Sequence, residues 1–360
     1  MAVGAMARWI GGGCGSVAGV LAAVIPLAAF AGGSRMAAQE TTALYGARGV
    51  SPLAVRQGYL GSCYFHASIA AVAEAAPETL RSAISVNPDG GYRVHFFAGA
   101  AEVVFPEDVA YGREHGYDRS EGVWVAVLMR AYAQRALRVG LVDAIQKSDS
   151  IPIFTKPLAL SLLDQSGPLL AAYDRAIRSL VQQDGAIDKT TLKAKLGAQL
   201  SLLGVPGTEA ELLVGLLDAK GFFDAVALTV QQNGEVFGAY KSLGQGGIPV
   251  GVIEAFLGHA NAGKVAEKGQ LMAELHRLRG GGVAMVASTS ESVPALGPEA
   301  KRPSWWVAAH SYTVLDYSEA AGTITLRNPW GTKPEPDGVF TLAMADFLEA
   351  YDTYSYSQAR

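Results

Sequence analysis

The stretch RQGYLGSCYFHASIAAVAE, Arg56–Glu74, decides how the rest of the chain is read. It holds Cys63, one of only two cysteines in 360 residues. Gly58, Gly61 and Ser62 form a turn-prone approach. From Cys63 to Glu74 the apolar residues Phe65, Ile69 and Val72 recur at helical spacing, with alanine filling the gaps. Cys63 therefore falls in the first turn of a predicted helix, with Ser62 as its N-cap. The free N–H groups and partial positive charge of a helix start favour the thiolate, the nucleophilic form of cysteine. Gln57, upstream, offers a side-chain N–H to the same place. A free cysteine is also often a buried small hydrophobe, so the reading turns on partners elsewhere in the chain.

Those partners lie near the other end. Ala309-His310-Ser311-Tyr312-Thr313-Val314 reads as a strand carrying a histidine, and Arg327-Asn328-Pro329-Trp330-Gly331 closes the next strand. The cysteine segment resembles the box QGxLGDCWLLAAIASL of the calpain family of cysteine peptidases. HSYTV is similar to that family's HAYSV, and LRNPWG matches its asparagine box. The three boxes occur in the family's order and with its Gln-to-Cys spacing.

The resemblance implies an α+β fold of the papain-like kind, with a helical half, a mostly antiparallel β half and a cleft between them. It implies that Cys63 is the nucleophile and that His310 exchanges its proton. Asn328 orients the imidazole, and Gln57 with the Cys63 N–H receives the oxyanion. These are the parts that thiol attack on a peptide carbonyl needs. Trp330 is read either as a cover over the His–Asn hydrogen bond or as ordinary core packing. Such a triad requires no cofactor. Calpain cores bind calcium through acidic loop residues, but no residues here match those loops, so calcium binding is not carried over. The implied partners are polypeptide substrates. In calpains the two halves move together on activation.

Composition agrees with a globular protein. Half of the residues are hydrophobic and 17% are charged. A net charge of -4 without a concentrated basic patch argues against nucleic-acid binding. In residues 1–31 the only charge is Arg8, an alanine-rich apolar run spans Val17–Ala31, and Ala29-Phe30-Ala31 has a small-x-small cleavage pattern. This reads as a signal peptide directing export, with no membrane association after cleavage; the alternative is an uncleaved signal anchor. Residues 32–43 read as a linker, 44–258 as the helical half and 259–360 as the β-rich half. No segment is left for a further domain, so the chain is expected to be a protease core alone.

Strands are predicted at Ser82–Val86, Tyr92–Phe97 and Glu102–Phe105, and a helix at Glu121–Arg138. The helix resembles the calpain segment that ends in KAYAK. The family text then resumes near Tyr240, as YKSLGQGG and VIEAFLG, so about 139–239 is an insertion. A structureless loop of that length is improbable. Helices are predicted within it at Leu158–Leu163, Leu169–Val181, Thr191–Leu203 and Glu209–Leu217, as a decoration or as a lid. Beyond it come a helix at Leu271–Leu278, a strand at Gly282–Ser288 and a loop at Thr289–Ser304. An antiparallel pair at Trp305–Tyr317 and Gly322–Leu326, a strand at Val339–Leu342 and a helix at Asp346–Tyr351 complete the pattern.

His66, one turn after Cys63, either tunes the thiolate or is simply packed. His95, His115, His259 and His276 match no motif. Ser62 and Tyr64 stand where the family has aspartate and tryptophan. A second class of function, a catalytically silent peptide-binding module on the same fold with the insertion as interface, uses the same cleft. Transfer of the acyl group to an amine is a third use of the same residues.

Overall fold

The computed structural model describes residues 43–88, 90–99, 101–147, 189–202, 207–218, 239–244, 246–290 and 303–358. The predicted signal segment lies outside the described residues, as do the helices predicted at Leu158–Leu163 and Leu169–Val181. The described residues belong to one contact unit, Thr42–Arg360. Among them no helix is long and apolar enough to cross a membrane.

Helix α1 runs Cys63–Ala75 and begins where the sequence places it. Every residue from Tyr64 to Ala73 is buried, so this helix is enclosed on all sides. Pro77 ends it and opens α2 (Pro77–Ala83), where a missing N–H costs nothing in a first turn. Ser82 and Ala83, expected in a strand, belong to this helix instead. The strand β1 is only Ile84–Val86, and it pairs antiparallel with β2 (Tyr92–Val94), which pairs with β3 (Glu102–Val104). Helix α3 (Pro106–Glu114), unanticipated, also opens on proline and carries Glu107 and Asp108 in its first turn, as the helix dipole favours.

Helix α4 spans Trp124–Lys147 rather than Glu121–Arg138. Its start is delayed because Gly122 has a left-handed φ of 70° and its backbone lies against Leu44–Gly46. The Val123 and Trp124 N–H groups both donate to Leu44 O at 3.0 Å. It runs past Arg138 because one glycine, Gly140, costs a helix only about 1 kcal/mol. Two of the insertion's predicted helices are present as α5 (Lys189–Leu202) and α6 (Gly207–Asp218), joined by the Lys193–Asp218 ion pair. Then come α7 (Ala239–Gly244) and α8 (Pro249–Leu257), which stops at Gly258 with φ 87°.

The remaining chain builds a second sheet. Its elements are β4 (Ala260–Lys264), α9 (Lys268–Arg279), β5 (Met285–Thr289), β6 (Ser311–Ser318), β7 (Thr323–Arg327), β8 (Val339–Ala343), α10 (Met344–Ala350) and β9 (Tyr351–Ser357). The order is β4-β9-β5-β6-β7-β8, and every pairing is antiparallel. The architecture is α+β. Strand alternation sends the two faces of the sheet into different cores. Val286 joins Phe65, Ile69 and Trp124, whereas Met285, Ala287, Tyr312 and Val314 join Leu271 and Leu275 of α9. Thr313 faces α1, where its Oγ1 donates to Ala67 O at 2.8 Å. This contact fixes the cysteine helix against the strand that follows His310.

Candidate active site

The turn before α1 is built on close backbone approach. A Cβ on Gly58 would stand 1.8 Å from Gly116 O, and one on Gly61 would stand 2.5 Å from Gly244 O. No other residue type fits either place without moving backbone. Ser62 occupies the N-cap position but its side chain caps no N–H. Instead the buried Ser62 Oγ lies 3.1 Å from His66 Nδ1. Cys63 is half-buried at the helix start. The helix start does not make it a ready thiolate. Burial pushes its pKa up, and this outweighs the lowering contributed by Ser311 and by the N–H groups of Tyr64 and Cys63.

His310 sits just before β6, not inside a strand as the sequence suggested. Ala309 interrupts the extended chain with a φ of 48°, a region that costs an L-residue about 1–2 kcal/mol. Neighbours hold that conformation: Ala309 N–H donates to Ser290 O at 3.0 Å, and His310 N–H donates to Thr289 Oγ1 at 3.0 Å. The ring stands between Trp330, with centroids 4.9 Å apart, and Tyr312, edge-on at 4.9 Å. His310 is buried, and desolvation lowers its pKa to about 4, with the Asn328 hydrogen bond opposing.

Asn328 closes β7. Its Oδ1 accepts the Trp330 backbone N–H at 3.1 Å and lies 3.0 Å from His310 Nε2. The Trp330 bond requires an oxygen at that position, so Nε2 carries the imidazole proton and Nδ1 is left as the base. Trp330 is half-buried. Its backbone locks Asn328 while its ring lies beside the imidazole.

Gln57 is buried and is tied to the asparagine loop, because its N–H donates to Pro329 O at 2.8 Å. Its Nε2 donates to Leu60 O at 2.8 Å, which leaves the second N–H of that amide for a ligand. Gln57, Cys63, His310 and Trp330 line one cleft of about 890 Å³, with Asn328 behind it. The structure thus brings the sequence-predicted residues to one place. The link it lacks is between nucleophile and base: no hydrogen bond joins Cys63 Sγ to the His310 ring among the described residues.

One cluster was not anticipated. His66 is fully buried, with Nδ1 3.0 Å from Ser62 O and Nε2 3.4 Å from Asp118 Oδ1. Ser120 Oγ donates to Asp118 Oδ1 at 2.6 Å and accepts the Arg56 N–H at 2.8 Å. Asp118 also pairs through its backbone with Gln57. His66 therefore ties the cysteine turn to Asp118, the residue whose backbone pairs with Gln57. The sequence marked His66 only as a neighbour of Cys63 on the helix, and its partners Asp118 and Ser120 carried no local signal.

Among the described residues no three or more His, Cys, Asp or Glu are grouped so as to hold a metal ion. No family model matches the sequence, and no curated protein matches it. Among solved structures the chain is similar to PepW from Lactobacillus rhamnosis HN001, at 9% identity and a TM-score of 0.30, over 89% of this chain and 82% of that one. At that level the likeness carries no argument.

Proposed function

We propose that the chain is a cysteine endopeptidase with a calpain-like, papain-type core. The observation that carries this reading is the His310–Asn328 pair, locked by the Trp330 N–H with Nδ1 left as base, in one cleft with Cys63 and Gln57. In the reaction, Cys63 Sγ gives its proton to His310 Nδ1 and bonds to the substrate carbonyl carbon. The spare Gln57 N–H and the Cys63 backbone N–H receive the oxyanion. The C–N bond then breaks as Nδ1 protonates the leaving amine. Water loses a proton to Nδ1, attacks the thioester, and the sulfur leaves and takes the proton back. Burial lowers the His310 pKa and raises that of the Cys63 thiol, and both shifts favour an uncharged resting pair.

The burial that raises the Cys63 thiol pKa, with no hydrogen bond from Sγ to the His310 ring among the described residues, favours a second reading, a silent peptide-binding cleft. A peptidyl epoxide separates the two. Under the peptidase reading it labels Cys63 far faster than it labels a free thiol, and His310→Ala removes the advantage. Labelling of the native chain at the rate of a free thiol supports the silent cleft.

A further inference from the structure

The protein is acidic overall, with a net charge of -4, yet every charged side chain lining the cleft is basic: Arg56, Arg119 and Lys333. Arg56 shares its charge with Asp337, at 3.5 Å. Asp337 is itself bound to Arg48 at 2.7 Å, and Arg48 also pairs with Glu121 at 3.4 Å, so among the described residues the Arg56 charge is answered only through this shared pair. Arg119 and Lys333 are exposed, and among the described residues no carboxylate pairs with either. The guanidinium of Arg119 is set over the Tyr59 ring, 4.2 Å from its centroid, and its backbone N–H donates to Arg56 O at 2.9 Å. A cleft lined by one sign of charge concentrates ligands of the opposite sign.

These cations stand on a particular side of the reacting carbonyl. His310 protonates the leaving amine, so the substrate C-terminal to the scissile bond passes over His310 and its neighbour Trp330. Lys333 lies on the loop that Trp330 opens. Arg56 precedes Gln57, whose N–H is bonded to Pro329 O of that same loop. We propose that the cleft selects polypeptides with acidic side chains C-terminal to the scissile bond, read by Arg119 and Lys333 with Arg56 behind them. This rests on the peptidase reading for its direction along the substrate, but the charge preference is measurable without catalysis.

The test uses three labelled peptides that differ only after the scissile bond, carrying Asp and Glu, then Asn and Gln, then Lys. Binding to the full-length Cys63→Ala chain is read by fluorescence anisotropy, and hydrolysis by the native chain is read in parallel. The acidic peptide is expected to bind about tenfold more tightly than its amide counterpart, as several weak exposed pairs acting together allow. The gap should close near 1 M salt, where the screening length is about 3 Å. Arg119→Gln with Lys333→Gln should bring the ratio close to one. Lys333→Glu, at an exposed position, should lower the ratio alone, which keeps the test intact if the double variant misfolds. Equal binding of the three peptides, no binding of any, or a preference untouched by these variants overturns the inference. Charge-selective binding without hydrolysis by the native chain overturns the peptidase reading and leaves the charge preference standing. Hydrolysis without charge selectivity does the reverse.

Discussion

Asn328 Oδ1 is the atom on which the chemistry of the site depends, because two donors converge on it and one of them, the Trp330 N–H, cannot change its role. The tautomer of His310 follows, and so does the direction of proton transfer. The same burial that orders the imidazole lowers its pKa to about 4 from an ordinary 6.5. The unfolded chain therefore takes up a proton at a higher pH than the folded one. Stability is full above about pH 6.5 and is lost as pH falls towards 4, amounting to about 3 kcal/mol. In denaturant titrations, His310→Gln should lose about that much less stability than the native chain between pH 7 and 4. Parallel stability curves for the two proteins would show that the histidine is not desolvated. Cys63, His310, Asn328 and Gln57 were legible as residues in the sequence. The left-handed Ala309 and the Thr289 hydroxyl that positions His310 were not, since a histidine in a β-rich segment gives no local sign of a break before it.

At the scale of elements, the helical half is joined by a buried ion pair. Arg130 of α4 lies 3.6 Å from Asp108 of α3, with both side chains almost wholly enclosed. The Arg130 guanidinium also stands 5.2 Å over the Tyr240 ring of α7, whose hydroxyl donates to Asp108 O at 2.9 Å. Removing one partner leaves the other charge buried, so Arg130→Ala should destabilise the fold by about 3–5 kcal/mol. A loss below about 1 kcal/mol in urea unfolding would mean that water reaches Asp108. Helix α4 was legible from its apolar stripe, but its first residue is set by the backbone of Leu44, far upstream in sequence. Strand β9 was missed outright. Its alternating Tyr354 and Tyr356 are a period-two signal, but the strand lies between β4 and β5, and that placement is purely long-range.

Across the whole molecule, the cleft is held by bonds that cross from one end of the sequence to the other. Gln57 N–H reaches Pro329 O, Thr313 reaches Ala67 O, and the buried Arg327 guanidinium donates to Val55 O. Arg327 is desolvated enough that its pKa falls to about 10, with Asp337 opposing the fall. These contacts place cysteine, glutamine, histidine and asparagine around one space while leaving thiol and imidazole without a hydrogen bond between them. The three boxes in the sequence announced which residues share that space; the distance between thiol and base depends on how the two cores pack, which no local pattern encodes. The proposed activity is cleavage of peptide bonds in this cleft through Cys63. The most direct measurement is hydrolysis of casein by the purified chain under reducing conditions, with and without calcium, beside Cys63→Ala. Hydrolysis by the native chain that vanishes in the variant is the predicted result, and the calcium arm shows whether hydrolysis needs the ion. Hydrolysis that persists in Cys63→Ala, or none by the native chain in either condition, would contradict the claim.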